Sequence, residues 1–109
     1  MTIKRGVSFI LTITVRDANE DPIDLTGATA RAEVRSRAAK AATLILDLAP
    51  TISDATGGVI SINVPPAQTA DLEPGIGKWD LLLDMPGGDT LEVIPTEDIT
   101  IAATATEPA

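Results

Sequence analysis

The sequence predicts an all-β domain, an antiparallel immunoglobulin-like β-sandwich of six or seven strands with one short helical turn. Three observations predict it. Apolar residues recur at every second position, Gly- and Pro-rich turns separate these runs at intervals of roughly 10–15 residues, and only the segment 66–72 is typical of helix. A small β-barrel is the alternative architecture. The length of 109 residues fits one domain spanning 1–109, with an ordered core at about 6–102 and a frayed tail at 103–109.

Three strands are predicted in the first half of the chain. The segment 7–16 has one apolar and one polar face, interrupted only by Ile10. In the segment 28–37, small apolar residues alternate with charged ones, so the outer face forms a charged ladder. A third strand spans Leu44–Leu48 and ends before Pro50, which cannot donate to a ladder. The residues expected to face the core are Val7, Phe9, Leu11, Ile13, Val15, Ala30, Ala32, Val34, Leu44, Leu46 and Leu48.

The second half predicts the remaining strands. Val59–Val64 alternates after a Thr-Gly-Gly turn, and the segment 66–72 starts with proline, as helical turns often do. The strand Lys78–Asp84 directs Trp79 toward the core, and the sequence PGGD after it predicts a hairpin turn. Pro95 interrupts the last run, so the final two strands are either separate or one strand with a bulge.

The composition excludes several classes of chemistry. The chain contains no cysteine and no histidine, which removes thiolate and histidine-based nucleophilic catalysis and the commonest zinc ligands. The net charge of −8, from 16 acidic and 8 basic residues, repels phosphate backbones, and one Trp, one Phe and no Tyr offer little surface for stacking bases. We therefore expect no enzyme, no cofactor and no nucleic-acid partner.

No targeting or membrane segment is predicted. The first residues lead directly into an alternating strand and show no small-residue cleavage site, so we expect no signal peptide. No run approaches the roughly 20 apolar residues that a membrane helix needs. The expectation is a protein made and folded in a cytoplasm, without a membrane partner.

The segment 17–28, DANEDPIDLTGA, raises the question of a metal site. Its first, third and fifth residues carry side-chain oxygens, as in a calcium-binding loop. The sixth position of such a loop needs glycine and carries Pro22, and the twelfth needs glutamate and carries Ala28, so an EF-hand is excluded. The weak candidate ligands of a looser calcium site are Asp17, Asn19, Asp21 and Asp24, with Glu20 beside them. The favoured interpretation is a hairpin tip followed by a corner that sets the register of the next strand.

Two other groups of charged residues bear on function. The carboxylates of the segment 80–98 follow the solvent-facing half of the alternating pattern and do not predict a paired-acid hydrolase. The charged ladder, with Lys40 beyond it, concentrates much of the small basic complement of an acidic chain. It is either a solvated strand face or a surface that meets an acidic patch on an identical or different subunit. The candidate interaction residues are Arg31, Glu33, Arg35 and Arg37.

Several short motifs resemble a known group of proteins. They are the polar turn at Pro22, the block Ile23–Ala28, Gly58 before a strand, the helical turn ending at Leu72, the sequence Gly77–Asp80 and the Gly87-Gly88 hairpin. From Gly6 to Ile101 the chain resembles the short β-domains encoded among phage and prophage tail genes, in particular the N-terminal domain of phage baseplate upper proteins. Trp79 stands where such domains more often carry tyrosine.

The resemblance implies a structural role without catalysis or cofactor. Such a module docks on other tail or baseplate subunits, or on copies of itself, in a virion assembled in the host cytoplasm. It transfers no contact residues, because the matching positions are explained as folding determinants. The alternative function is a small immunoglobulin-like binding module that recognises a cell-surface glycan or protein through its loops.

Overall fold

The chain folds into two β-sheets packed face to face, which confirms the predicted β-sandwich. A computed structural model describes residues 1–37 and 42–105, so Lys40 and residues 106–109 of the predicted tail lie outside the described part. In chain order the elements are β1 (Thr2–Lys4), β2 (Phe9–Thr14), β3 (Thr29–Arg35), β4 (Leu44–Asp47), β5 (Thr51–Asp54), β6 (Val59–Val64), α1 (Pro66–Thr69), β7 (Gly75–Asp84) and β8 (Thr90–Ala102). The large sheet has the order β1-β8-β7-β3-β4, and the small sheet has the order β2-β6-β5.

Two short strands, β1 and β5, were not predicted from the sequence. β1 has only three residues and pairs parallel with the end of β8. β5 follows the predicted break at Pro50 and moves the chain from the large sheet to the small one. The change of direction occurs at Ala49, whose φ of 45° is left-handed and whose amide donates to Asp47 Oδ1 at 2.8 Å. The sequence 44–54 therefore forms two strands in different sheets.

The final segment is one strand, which resolves the alternative left open at Pro95. β8 runs without a break along β7, and the register shifts opposite the segment 79–82, where Pro95 faces β7. A bulge at this place accommodates a residue that has no N–H to donate. Trp79 lies beside the irregularity, is 1% exposed and donates from its indole Nε1 to Glu97 Oε1 at 3.1 Å.

The core lies between the two sheets and confirms most of the predicted inward residues. Its buried members include Val15, Leu25, Ala32, Val34, Leu48, Ile60, Ile62, Val64, Trp79, Leu81, Leu83 and Ile99. Two predicted core residues are wrong. Val7 is 45% exposed because β2 begins only at Phe9, and Leu44 is 45% exposed because the register shifts where β4 meets Arg35.

The short helix α1 fixes the entrance to β2. Thr69 is fully buried, and its hydroxyl donates to Val7 O at 3.1 Å. The Arg5 side chain donates to Ala70 O from Nε at 3.3 Å and from Nη2 at 3.2 Å. These bonds tie the β1–β2 connection to the helix and so hold β2 at the side of the sandwich. Within residues 1–37 and 42–105, no helix has the length and hydropathy of a membrane span.

Candidate interaction surfaces

The acidic segment after β2 forms a hairpin turn, as the favoured interpretation predicted. Arg16 and Pro22 form an antiparallel bridge across it, and Glu20 has a left-handed φ of 66°. Asp17 Oδ1 accepts hydrogen bonds from the amides of Asn19 at 2.8 Å and Asp21 at 3.1 Å. The Asp17 carboxylate therefore stabilises the turn through its own backbone.

The corner that follows is organised in the same way. Asp24 Oδ1 accepts from the Thr26 amide at 2.9 Å and from the Thr26 hydroxyl at 2.6 Å. These bonds lower the pKa of Asp24, with the hydroxyl bond as the larger cause. In the described part of the chain, no three acidic side chains converge as metal ligands would. The candidate ligands Asp17, Asn19, Asp21 and Asp24 thus lie on a turn and a corner, where the carboxylates of Asp17 and Asp24 accept hydrogen bonds from nearby backbone amides.

The predicted charged ladder lies on the outer face of the large sheet and is largely paired within the chain. Arg31 forms an ion pair with Asp84 on the neighbouring strand, with Nε and Oδ2 2.6 Å apart. Because of that hydrogen bond, the pKa of Asp84 is lowered and the pKa of Arg31 is raised. Arg35 contacts Glu33 at 3.1 Å and donates to Ala42 O at 2.8 Å. Arg37 follows β3 and is exposed.

The same face continues across β7 and β8 as a mosaic of opposite charges and hydroxyls. Lys78 pairs with Asp98, and Thr96 Oγ1 donates to Asp80 Oδ2 at 2.9 Å. Exposed pairs of this kind contribute little stability, and salt weakens them. This large-sheet face therefore offers a partner a pattern of charges more than a single strong field.

The outer face of the small sheet has a different character, and none of its residues was a sequence-predicted candidate. Ile10 is 67% exposed and lies opposite Asn63, while Thr12 and Thr51 flank Ser61 from the two sides. None of these five side chains is charged. The available signal was the segment 6–15, which carries no charge in a chain with a net charge of −8.

A shallow cavity of about 360 Å³ opens beside the start of β7. Its lining combines apolar residues, among them Ile45, Leu72 and Ile101, with the carboxylates Asp71 and Glu73. Ile76 is 70% exposed beside it. No residue that lines it was a sequence-predicted candidate.

Comparison with known proteins agrees with this fold. A family model described as LtfC-like, beta-sandwich domain matches residues 1–103. A search of curated proteins finds no match. LtfC is a phage tail-associated protein, which confirms the coarser part of the resemblance, its connection with phage tails. Because the match spans almost all of its length, the chain belongs to the LtfC-like β-sandwich family.

Proposed function

We propose that the chain is a non-catalytic structural component of a phage or prophage tail that acts through protein–protein contacts. Family membership supports the phage setting. A position in the baseplate is the finer form of the proposal, supported by the resemblance of residues 6–101 to the domain of baseplate upper proteins. The proposal includes assembly in the host cytoplasm, contacts with other tail subunits and no bound cofactor.

The observation that carries the proposal is the contrast between the loops and the sheets. The carboxylates of Asp17 and Asp24 in the loops, and of Asp54 at the end of β5, accept hydrogen bonds from the backbone of the adjoining turns. A binding module that uses its loops needs polar groups directed toward a ligand. The sheets, in contrast, present broad exposed faces and open edges, which are the surfaces through which β-domains assemble.

The two outer faces contribute differently to such contacts. On the charged face, Arg31 and Arg35 already form ion pairs within the chain. An incoming subunit therefore replaces these ion pairs with its own and does not meet unpaired charges. Such exchange orients a partner and sets specificity more than it adds affinity. The uncharged face around Ile10 and Thr12 offers apolar and hydroxyl groups whose burial carries no cost of desolvating a charge.

Quantitative mass spectrometry of purified particles tests the proposal. Tails or virions released by the phage or prophage that encodes the chain are purified through two successive density gradients. The amount of the chain is then compared with that of a major tail subunit, and a host cytosolic protein serves as the control for contamination. We expect a molar ratio to the tail subunit that stays constant between the gradients. A ratio that falls in parallel with the cytosolic control contradicts the proposal.

A further inference from the structure

The small sheet ends in an edge strand, β2, that lacks the usual protection against pairing. β2 has six residues, against three for β1 and four each for β4 and β5, the other edge strands of the two sheets. Its register with β6 has no irregularity, whereas the registers of β4 and β5 each contain a shift. β5 also follows Pro50, and β1 contains Lys4. Short length, bulges, proline and charge are the features that keep edges from pairing, and β2 has none of them.

The hydrogen-bonding pattern shows which backbone groups of β2 face the open edge. The Val15 amide donates to Gly58 O at 2.7 Å, in continuation of the β2–β6 register. In an antiparallel pair, the N–H and C=O of alternate residues point to the same neighbour. The odd-numbered residues of β2 therefore bond to β6, and the N–H and C=O groups of Ile10, Thr12 and Thr14 point outward. These groups form a template for one more strand.

We propose that β2 pairs antiparallel with β2 of a second copy of this chain, which joins two three-stranded sheets into one continuous six-stranded sheet. The inference rests on the proposed assembly function, whose partner it names as the same protein. The pairing keeps each face of the combined sheet uniform, because directly opposite residues lie on the same face. With the two-fold axis at Leu11, Phe9 meets Ile13 of the second copy and Ile10 meets Thr12. A self-complementary contact of this kind is the rule for symmetric dimers.

Charge favours a second copy and the antiparallel direction. Two chains of net charge −8 repel each other, and the segment 6–15 is a long stretch where they can meet without opposing charges. Lys4 and Arg5 precede β2, whereas the hairpin 16–21 after it carries one arginine and three acids. Antiparallel pairing brings the basic end of one copy toward the acidic end of the other. Parallel pairing would bring like charges together.

The expected association is weak in dilute solution. A six-residue edge buries little side-chain area, which places the contact with the small, transient interfaces whose affinities are micromolar or weaker. Many copies held close together in a particle raise the effective concentration and so populate the pair. The dimer is therefore to be sought at high protein concentration.

Thr12 and Thr51 provide a matched pair of variants. Both are exposed threonines that lie directly opposite Ser61, Thr12 on the β2 edge and Thr51 on the β5 edge. Thr12→Lys places two lysines at diagonal positions across the proposed dimer axis, where these long side chains are within reach of each other and their like charges weaken cross-strand pairing. Thr51→Lys makes the same chemical change on the opposite edge. Either lysine reduces the net negative charge, so a loss of association in only one variant does not come from net charge.

The solution mass is measured by sedimentation equilibrium over a concentration series, with circular dichroism to confirm folding of both variants. The monomer mass is 11.3 kDa. We expect the wild type and Thr51→Lys to approach twice this mass together, and Thr12→Lys to have a dissociation constant larger by about tenfold or more. Hydrogen exchange of the wild type adds a second measurement, in which the amides of Ile10, Thr12 and Thr14 become protected as the concentration rises.

Three outcomes overturn the inference. The first is a wild type that is monomeric at every concentration, which leaves the edge to a strand of another protein. The second is a dimer that both variants retain or both lose equally. The third is a dimer in which the three outward amides exchange as fast as in the monomer. A monomeric chain that is nevertheless a constant constituent of purified tails would overturn the self-pairing alone and leave the proposed function standing.

Discussion

Gly77 is a position in β7 where the sandwich has no room for a side chain. An added Cβ would lie 2.9 Å from Arg35 O, 3.2 Å from Val34 Cγ1 and 3.3 Å from Ile45 Cδ1. The first contact is with a backbone atom of the paired strand β3, so relief requires the two strands to separate. Overpacking of this kind costs about 1–3 kcal/mol. We expect Gly77→Ala to lower the free energy of unfolding by about 2 kcal/mol and the melting temperature by roughly 10 °C.

Gly75 supplies the control, since it lies on the same face of β7 two residues earlier and an added Cβ there meets no atom within 4 Å. Gly75→Ala restricts the unfolded chain without a clash, so we expect a gain of about 0.5 kcal/mol. Urea unfolding followed by the fluorescence of Trp79, the single tryptophan, measures both changes. Equal stabilities for the two variants would show that β3 and β7 do not approach too closely at Gly77 for a methyl group.

Three further predictions concern hydrogen bonds and titration. Arg31→Ala should raise the pKa of Asp84 toward its usual range, which carboxyl NMR measures. Because the wild-type pKa is lowered, the ionised carboxylate stabilises the fold at neutral pH, and this contribution is lost as the pH falls through the lowered pKa. The variant should therefore lose less stability in acid than the wild type. Asp17→Ala should lower the free energy of unfolding by about 0.5–1 kcal/mol, because it removes two hydrogen bonds from backbone amides. Calcium should leave the melting temperature of the wild type and the variant unchanged. A calcium-dependent rise in the wild type alone would support the metal site. Glu97→Ala should lower the free energy of unfolding by about 1 kcal/mol, because it removes the acceptor of the Trp79 indole hydrogen bond. In a Trp79→Phe background, where that hydrogen bond is already absent, the same substitution should have little effect, which a double-mutant cycle measures.

The sequence predicted the parts of the fold that depend on alternation. The inward residues of β3 and β7, including Ala32 and Trp79, are buried as their period requires, because a one-residue slip would move every side chain to the opposite face. The corner at Leu25 and the hairpin at Asp17 followed from turn chemistry, since polar side chains that bond their own backbone act locally.

The parts that the sequence did not predict depend on contacts between distant segments. β1 is too short to show a period and exists because the distant end of β8 offers it a partner. Pro50 marked the end of a strand, but the crossing to the other sheet at Ala49 was hidden because alanine rarely adopts a positive φ. The β2 edge could not be recognised before the strand order was known, although its lack of charge was visible. Similarly, the charged ladder was found, but its pairing with Asp84 required the register of β3 and β7.

We propose that this domain works through its sheets rather than its loops, as a fixed part of a phage tail. The test is footprinting of the chain in purified tails and of the free chain, with hydroxyl radicals for the apolar side chains and carbodiimide labelling for the carboxylates of the hairpins. We expect exposed apolar residues of the sheets, such as Ile10, to become protected while the hairpins 17–21 and 86–89 keep their reactivity. Protection confined to the hairpins, with the sheet surfaces as reactive as in the free chain, would overturn this proposal and favour a binding module that recognises its ligand through loops.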